Sequence, residues 1–308
     1  MVIRDALGEG AKQLKKTADA WTSAALDAEL LLGQAMKMTR EELYIHNKQS
    51  LTAAQTRRYN TLLGRRKKHE PIAYLLGRKD FFGLPFLVER GACLIPRPET
   101  EVLVERAIAL LNEEEHLQTP DTSIIDIGTG SGAIALSIAH TLPDRSVIAT
   151  DISPAARRIA KKNAVQLGVA DRVTIQKADL LPTALPKTTS GFLFLANLPY
   201  IPTRRWKTLP LSIRRFEPRT AFDGGPDGLA LYRALFLQIK KTGIDTHWTL
   251  LAEIDPGQAS ALSRAVRTSF KNATVTFHRD LGQNIRVVEI TVRLHAAQLA
   301  RQATSARA

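Results

Sequence analysis

The 308-residue chain contains one cysteine, Cys93. A single thiol excludes an internal disulfide framework and any metal centre built from several thiolates. The seven histidines show no paired ligand spacing, so no metal site is expected. No apolar run approaches the roughly 18 residues that a membrane span requires. The stretch from Met1 to Trp21 mixes charged with small residues and lacks the apolar centre of a signal peptide. Internal repeats are absent, and low complexity is confined to the end of the chain. These absences predict a cytoplasmic, metal-free protein with no membrane association.

What is present is ordinary in bulk and uneven in detail. Hydrophobic residues make up 44% and charged residues 24% of the chain, as in a soluble globular protein. The length suits one large and one small domain. The net charge of +13 suits an anionic partner such as nucleic acid, or a basic background with no such role. Arg57, Arg58, Arg65, Arg66, Lys67 and Lys68 concentrate that charge in one short window.

Residues 1–70 read as a small helical domain, with Leu26, Leu30 and Leu31, then Tyr59, Leu62 and Leu63, at helical spacing. Ser50 is the expected N-cap of the second of these stretches. Residues 71–98 carry Gly83, Pro85 and Gly91 between short apolar runs, the pattern of a hairpin-like linker. Residues 99–294 hold the larger domain. Within it, "SIIDIG", "SVIATDI", "VTIQKADL", "GFLFLANLPY" and "WTLLAEI" are strands alternating with helices. "ATVTFHRD" and "IRVVEITV" close it as an antiparallel pair. This predicts an α/β fold, with a seven-stranded, mostly parallel sheet covered on both faces. Residues 295–308 read as a frayed basic tail.

Ligands in such sheets bind at the carboxyl ends of the strands. "DIGTGSGAIAL" lies at the first strand-to-helix turn, with Gly128, Thr129, Gly130, Ser131 and Gly132 free to approach a ligand through backbone atoms. A dinucleotide fingerprint wants its third glycine one residue later, and a P-loop wants a Lys that is not there. The G-x-G-x-G form after Asp126 resembles motif I of the class I S-adenosylmethionine-dependent methyltransferases, whose fold is Rossmann-like. Asp151, about 20 residues past the loop, suits ribose hydroxyls, or it caps the following helix. Asp179, at the end of the third strand, is an acceptor for an adenine amino group or a solvated acid.

"ANLPYIP" ends the fourth strand and opens on the same edge. The Asn197 side-chain oxygen and the Leu198 carbonyl can each accept an N–H from a planar NH2 group, and Tyr200 can pack on it. Pro199 holds residue 198 away from helical geometry. Catalysis by such a clamp is mostly positioning, an effect worth at best about 7–11 kcal/mol. A proline turn with a core tyrosine would use the same residues.

"IPRPETE" (95–101), "DIGTGSGAIAL", "ANLPYIP", "EPRTAFDGGPDGL" (217–229) and "HRDLGQNIRVV" (278–288) occur in this order. Together they resemble the release factor glutamine methyltransferases of the HemK/PrmC type, over nearly the whole chain from Leu26 to Val292. The resemblance implies methyl transfer from S-adenosylmethionine to the side-chain N5 of the glutamine in the Gly-Gly-Gln motif of class 1 peptide chain release factors, by a monomer that needs no direct nucleic-acid contact. It implies a helical domain that docks the factor. It implies cofactor contacts at Gly128–Gly132, Asp151, Asp179, Leu180 and Asn197, and a catalytic clamp of Asn197, Leu198, Pro199 and Tyr200. Phe81 and Phe82 are further candidates for the wall of the glutamine pocket. The chain departs from the family in two places, with Leu198 where proline is usual and Leu180 where an aromatic is common. A nucleic-acid adenine N6 methyltransferase shares the clamp, and a sister enzyme acting on a large-subunit ribosomal protein shares the fold. A non-catalytic protein of the same fold would not need Asn197 and Tyr200.

Overall fold

The computed structural model describes residues 1–15, 23–187 and 190–293. The basic tail expected at 295–308 lies outside the described residues. Contacts divide the chain into two units. The first comprises Met1–Lys79, Val88–Gly91 and Leu209–Glu217; the second comprises Asp80–Leu87, Ala92–Thr208 and the described residues from Pro218 onward.

The first unit is helical. It contains α1 (Ile3–Leu14), α2 (Ala24–Met36), α3 (Arg40–Ile45), α4 (Ala53–Arg66) and α5 (Ile72–Leu76). The residue before α4 that caps it is Thr52, not Ser50. Thr52 and Gln55 form a reciprocal capping box, while Ser50 makes an isolated bridge to Val2. Ile3, Leu14, Leu31, Leu32, Leu43, Tyr59 and Leu63 form the core, and the Tyr59 hydroxyl donates to the Ala6 carbonyl at 3.2 Å. The basic window around α4 is not a uniform surface. Arg66 is 1% exposed and its Nε donates to Asp27 Oδ2 at 2.7 Å; Arg65 makes two bonds to Glu70. Arg57, Arg58, Lys67 and Lys68 remain exposed.

Strands β1 (Arg78–Phe81) and β2 (Leu84–Leu87) form a two-stranded sheet. The turn between them places Phe82 at φ 51° and Gly83 at φ 72°, as a tight hairpin turn requires. The helix α5 just before it has no counterpart in the sequence reading.

The second unit continues with α6 (Glu101–Glu113), α7 (Glu115–Gln118), β3 (Ser123–Ile127), α8 (Ala133–Thr141), β4 (Val147–Asp151), α9 (Pro154–Gln166), β5 (Val173–Lys177) and β6 (Gly191–Ala196). After α10 (Leu211–Phe216), which clusters with the first unit, come α11 (Ala230–Thr242), β7 (His247–Glu253), α12 (Ala259–Ser269), β8 (Ala273–Arg279) and β9 (Ile285–Val292). The sheet order is β5-β4-β3-β6-β7-β9-β8. Pairs from β5 to β7 are parallel, and β9 runs antiparallel between β7 and β8. Continuous apolar strands reflect burial on both faces. Along β6, Leu193 and Leu195 join one core with Leu103 of α6 and Leu136 of α8. Phe192, Phe194 and Ala196 join the other, with Tyr232 and Phe236 of α11 and Leu262 of α12. No described helix is long and apolar enough to cross a membrane.

The Arg66–Asp27 pair leads to a stability prediction. Removing one partner of a buried ion pair leaves an uncompensated charge, costing about 3–5 kcal/mol. Arg66→Ala is expected to lower the denaturation free energy of the helical unit by that amount, whereas exposed Arg58→Ala should fall within about 0.5 kcal/mol of the parent. Chemical denaturation of the two variants checks the contrast.

Candidate active site

Strand register builds the site. Ile127 of β3 pairs with Ala196 of β6, and Ala196 pairs with Ala252 of β7. The next residues, Gly128, Asn197 and Glu253, therefore come side by side at the carboxyl edge. The chain order reverses between β3 and β6, and open parallel sheets bind ligands at that point.

The loop after β3 holds Gly128, Gly130 and Gly132 at φ 73°, 59° and 86°, in the left-handed region that favours glycine. Asp126 beneath it is 0% exposed; its Oδ2 accepts from Thr129 Oγ1 at 2.6 Å and from the Ala135 N–H at 3.2 Å. The Thr129 N–H donates to the Thr150 carbonyl at 2.8 Å, tying the loop to β4. Asp151 ends β4 and reaches back, with Oδ2 accepting from the Gly130 N–H at 2.9 Å and Oδ1 from the Ser153 N–H at 2.8 Å. The cap of α9 is Ser153, which accepts from the Ala156 N–H, so capping does not occupy Asp151. Thr150 Oγ1 donates to the Leu180 carbonyl at 2.7 Å, with Leu180 at φ 71°. Asp179 is exposed and lies two residues beyond the end of β5, rather than ending the strand; its carbonyl accepts from Gln238 Nε2 at 3.0 Å.

Asn197–Tyr200 follow directly on β6, which ends at Ala196. Asn197 Nδ2 donates to Thr100 Oγ1 at 3.0 Å, and Thr100 Oγ1 donates to Glu253 Oε2 at 2.6 Å. The Tyr200 hydroxyl donates to Glu253 Oε1 at 2.9 Å. Leu198 is buried in the same core as Tyr232, whose hydroxyl donates to the Glu253 carbonyl. Gly224 and Gly228 press on the backbone of this segment. A Cβ on Gly224 would lie 2.4 Å from the Pro199 carbonyl oxygen, and one on Gly228 2.1 Å from that of Tyr200. Gln258 Nε2 completes the support, donating to the Tyr200 carbonyl at 2.8 Å and to that of Asp227 at 3.1 Å.

Phe81 and Phe82 do not share one setting. Phe81 is 1% exposed and packs edge-on against Phe86 in the core. Phe82 is half-buried, and its N–H donates to Glu101 Oε1 at 2.9 Å. The core position of Phe81 reflects the pleat of β1, which turns alternate residues inward.

Burial dominates the electrostatics. It pushes the Asp126 carboxyl up to about 7, against the bonds from Thr129 and Ala135, and the neighbouring Asp151 charge adds to the rise. It also raises Asp151, opposed by the N–H groups of Ser153 and Gly130 and by Arg157. Burial raises Glu253 too, opposed by Thr100, Tyr200 and the nearby Arg286. Burial and then Glu253 hold Tyr200 well above the usual phenol range, so it stays a neutral donor. Buried Asp126 Oδ1 has no partner. Two carboxylates beside the glycine loop disfavour a phosphate and favour a ligand that is cationic and rich in hydroxyl donors. S-adenosylmethionine has both properties, and the residues present fit it.

Sequence reasoning missed Thr100, Glu253 and Gln258. A signal existed for Glu253, the one acid at the end of the apolar run "WTLLAEI". Thr100 lay inside the quoted "PRPETE", and Gly224 and Gly228 inside "DGGPDGL", without an assigned contact.

Residues 5–77 match the family of PrmC N-terminal domains, and residues 124–216 a family of methyltransferase domains. The release factor glutamine methyltransferase of Moorella thermoacetica is 44% identical over 270 residues, covering 86% of this chain and 91% of that one. The protein of the same name from Bradyrhizobium diazoefficiens is 40% identical, covering 77% of each. Among solved structures, the hMettl16 catalytic domain in complex with the MAT2A 3′UTR hairpin 1 is similar with a TM-score of 0.53 and 18% identity, over 76% of this chain and 81% of that one. That likeness shows the fold alone.

The raised Asp126 carboxyl has a pH consequence. Its folded value of about 7 stands above the ordinary 3.8. Its contribution to stability is therefore fully present below about pH 4 and is lost as pH rises through 7. Asp126→Asn, which cannot ionise, should match the parent at low pH and gain on it steadily from about pH 4 to about pH 7 in the cofactor-free protein. Melting temperatures of both proteins across that range check it; a constant difference would remove the assignment.

Proposed function

Because this chain belongs to the release factor glutamine methyltransferases, we propose that it moves a methyl group from S-adenosylmethionine to the side-chain N5 of the glutamine in the Gly-Gly-Gln motif of class 1 release factors. The observation that carries the reading is the Asn197 carboxamide. Its nitrogen is bonded inward to Thr100, which leaves its oxygen to accept an N–H of the target. The Leu198 carbonyl is the second acceptor, and Tyr200, held by Glu253, is the packing surface.

S-adenosylmethionine, when bound, supplies a methyl carbon on a positively charged sulfur. The residues of this chain do the rest by orientation. A carboxamide nitrogen is a poor nucleophile because its lone pair is delocalised into the carbonyl. Two acceptors that take both N–H groups hold it still and favour the pyramidal form in which the lone pair is available. Asp151 is assigned to the ribose hydroxyls, with the backbone of Gly128–Gly132 along the rest of the cofactor. Leu180 and exposed Asp179 are assigned to the adenine side, where aliphatic packing replaces a stacked ring. Phe82 remains a candidate for the glutamine pocket. Docking of the factor is assigned to the helical unit, whose exposed Arg57, Arg58, Lys67 and Lys68 favour an acidic surface. A monomer suffices for all of this.

Incubation with a release factor, labelled S-adenosylmethionine and, separately, DNA or ribosomal RNA tests the proposal. Label is expected in the tryptic Gly-Gly-Gln peptide; label recovered as methyladenine would overturn the reading. Asp151→Ala should weaken S-adenosylmethionine binding by about 1.5–3 kcal/mol by calorimetry, the range for a charged hydrogen bond. Because Asp151 also holds the Gly130 N–H, the glycine loop should loosen in the same variant.

Leu198 separates two accounts of the clamp. If the acceptor carbonyl is what matters, leucine serves as well as proline, and Leu198→Pro should change the single-turnover rate by less than about tenfold. Asn197→Ala, which removes an acceptor outright, should slow turnover on the order of 100-fold. An inactive parent rescued by Leu198→Pro would show that rigidity is the essential feature.

A further inference from the structure

The two side chains of the clamp are tied to one buried carboxylate. Glu253 is 1% exposed at the end of β7. Each of its oxygens accepts a hydroxyl, Oε1 from Tyr200 and Oε2 from Thr100. The Thr100 hydroxyl has a single proton. Once that proton is spent on Glu253, Thr100 Oγ1 can only accept from its remaining neighbour, Asn197. The carboxamide of Asn197 must then turn its NH2 inward and its oxygen outward. An Asn side chain is nearly symmetric in shape, so packing alone does not choose between its two orientations. The direction of one hydroxyl does.

We propose that Glu253 and Thr100 are positioning residues for methyl transfer, a polar relay that fixes the Asn197 amide with its oxygen toward the substrate NH2 and its nitrogen away. The proposal rests on the reading of Asn197 as a clamp residue and deepens it by naming what sets its polarity. Ionised Glu253 is an acceptor only, and this is the state in which the relay has one direction. The groups that face it are Thr100 and Tyr200 as donors, Arg286 as the nearby cation, and Glu99 and Tyr232 as further neighbours. A protonated Glu253 could donate to Thr100 Oγ1 instead. The Thr100 hydroxyl would then point at Asn197, and the amide would turn its NH2 toward the substrate, donor against donor.

The relay has a signature that a merely structural role lacks. An outward oxygen favours a target side chain that donates and disfavours one that only accepts. The parent should therefore bind a release factor with Gly-Gly-Gln more tightly than one with Gly-Gly-Glu. Thr100→Val keeps the shape of the side chain and deletes the hydroxyl, whereas Thr100→Ser keeps the hydroxyl.

The experiment measures single-turnover rate, S-adenosylmethionine affinity and the Gln-to-Glu affinity ratio for the parent, Thr100→Val, Thr100→Ser, Glu253→Gln and Asn197→Ala. Thr100→Val and Glu253→Gln are expected to slow methyl transfer about 10- to 100-fold, with cofactor affinity within about twofold of the parent, the scale of one lost orienting bond. Thr100→Val should also narrow the Gln-to-Glu ratio by at least about threefold, and Thr100→Ser should restore both rate and ratio. If Asn197→Ala is slow while Thr100→Val keeps the parent's rate and ratio, the relay is overturned and the clamp stands. If Asn197→Ala itself keeps the parent's rate, both are overturned. Unchanged cofactor binding serves as the check of folding, and the Thr100→Ser comparison decides the question even where Glu253→Gln fails to fold.

Discussion

The parallel pairing of β6 between β3 and β7 is the constraint on which the site depends. Register is all-or-none, since a one-residue slip would turn every side chain of β6 to the opposite face. Leu193 and Leu195 would then face the core that now holds Phe192 and Phe194. Two differently shaped cores thus lock β6 in place, and the lock fixes where the strand stops. Because Ala196 pairs with both Ile127 and Ala252, Asn197 emerges between the glycine loop and Glu253. The polar site inherits its precision from apolar packing below it.

The buried acids make a second pattern. Asp126, Asp151 and Glu253 all stand near the carboxyl edge, and burial raises all three. Each accepts hydrogen bonds that partly offset the cost of desolvation, from Thr129 and Ala135, from Gly130 and Ser153, and from Thr100 and Tyr200. Such an edge keeps a cost of buried charge that Arg157 and Arg286 offset only in part. It is well matched to a sulfonium ligand, and the same preference disfavours the phosphates that other open α/β sheets bind at this position.

Much of this was legible in the sequence. The alternation of "SIIDIG" with "GAIALSIAHTL" and the apolar run of "GFLFLA" identified buried parallel strands, and the closing pair "ATVTFHRD" and "IRVVEITV" lies antiparallel as its patterning indicated. The glycine loop, Asp151, Leu180 and the Asn197–Tyr200 segment do converge on one edge, because strand ends are local and their order follows from topology. What was not legible required contacts between residues far apart in the chain. Thr100 and Glu253 are 153 positions apart, and nothing at either position announces the other. Arg66 looked like one more cation in a basic window until its partner Asp27, 39 positions earlier, was seen beneath it. Phe81 and Phe82 are adjacent and alike in composition, yet one lies in the core and the other at a turn. The hairpin geometry decides between them, and composition does not.

The glycines at 224 and 228 carry a consequence for how such a site can drift. The carbonyls of Pro199 and Tyr200 lie where the first carbon of any other side chain would have to be. At Leu198, by contrast, the working atom belongs to the backbone, so its side chain answers only to the apolar packing around it. Variation within apolar limits is thereby allowed at the position that acts and forbidden at neighbours pressed against carbonyl oxygens of the main chain. Two positions whose contribution is an absence of atoms become the most rigid part of the specification, and a survey that ranks residues by the chemistry of their side chains would place them last.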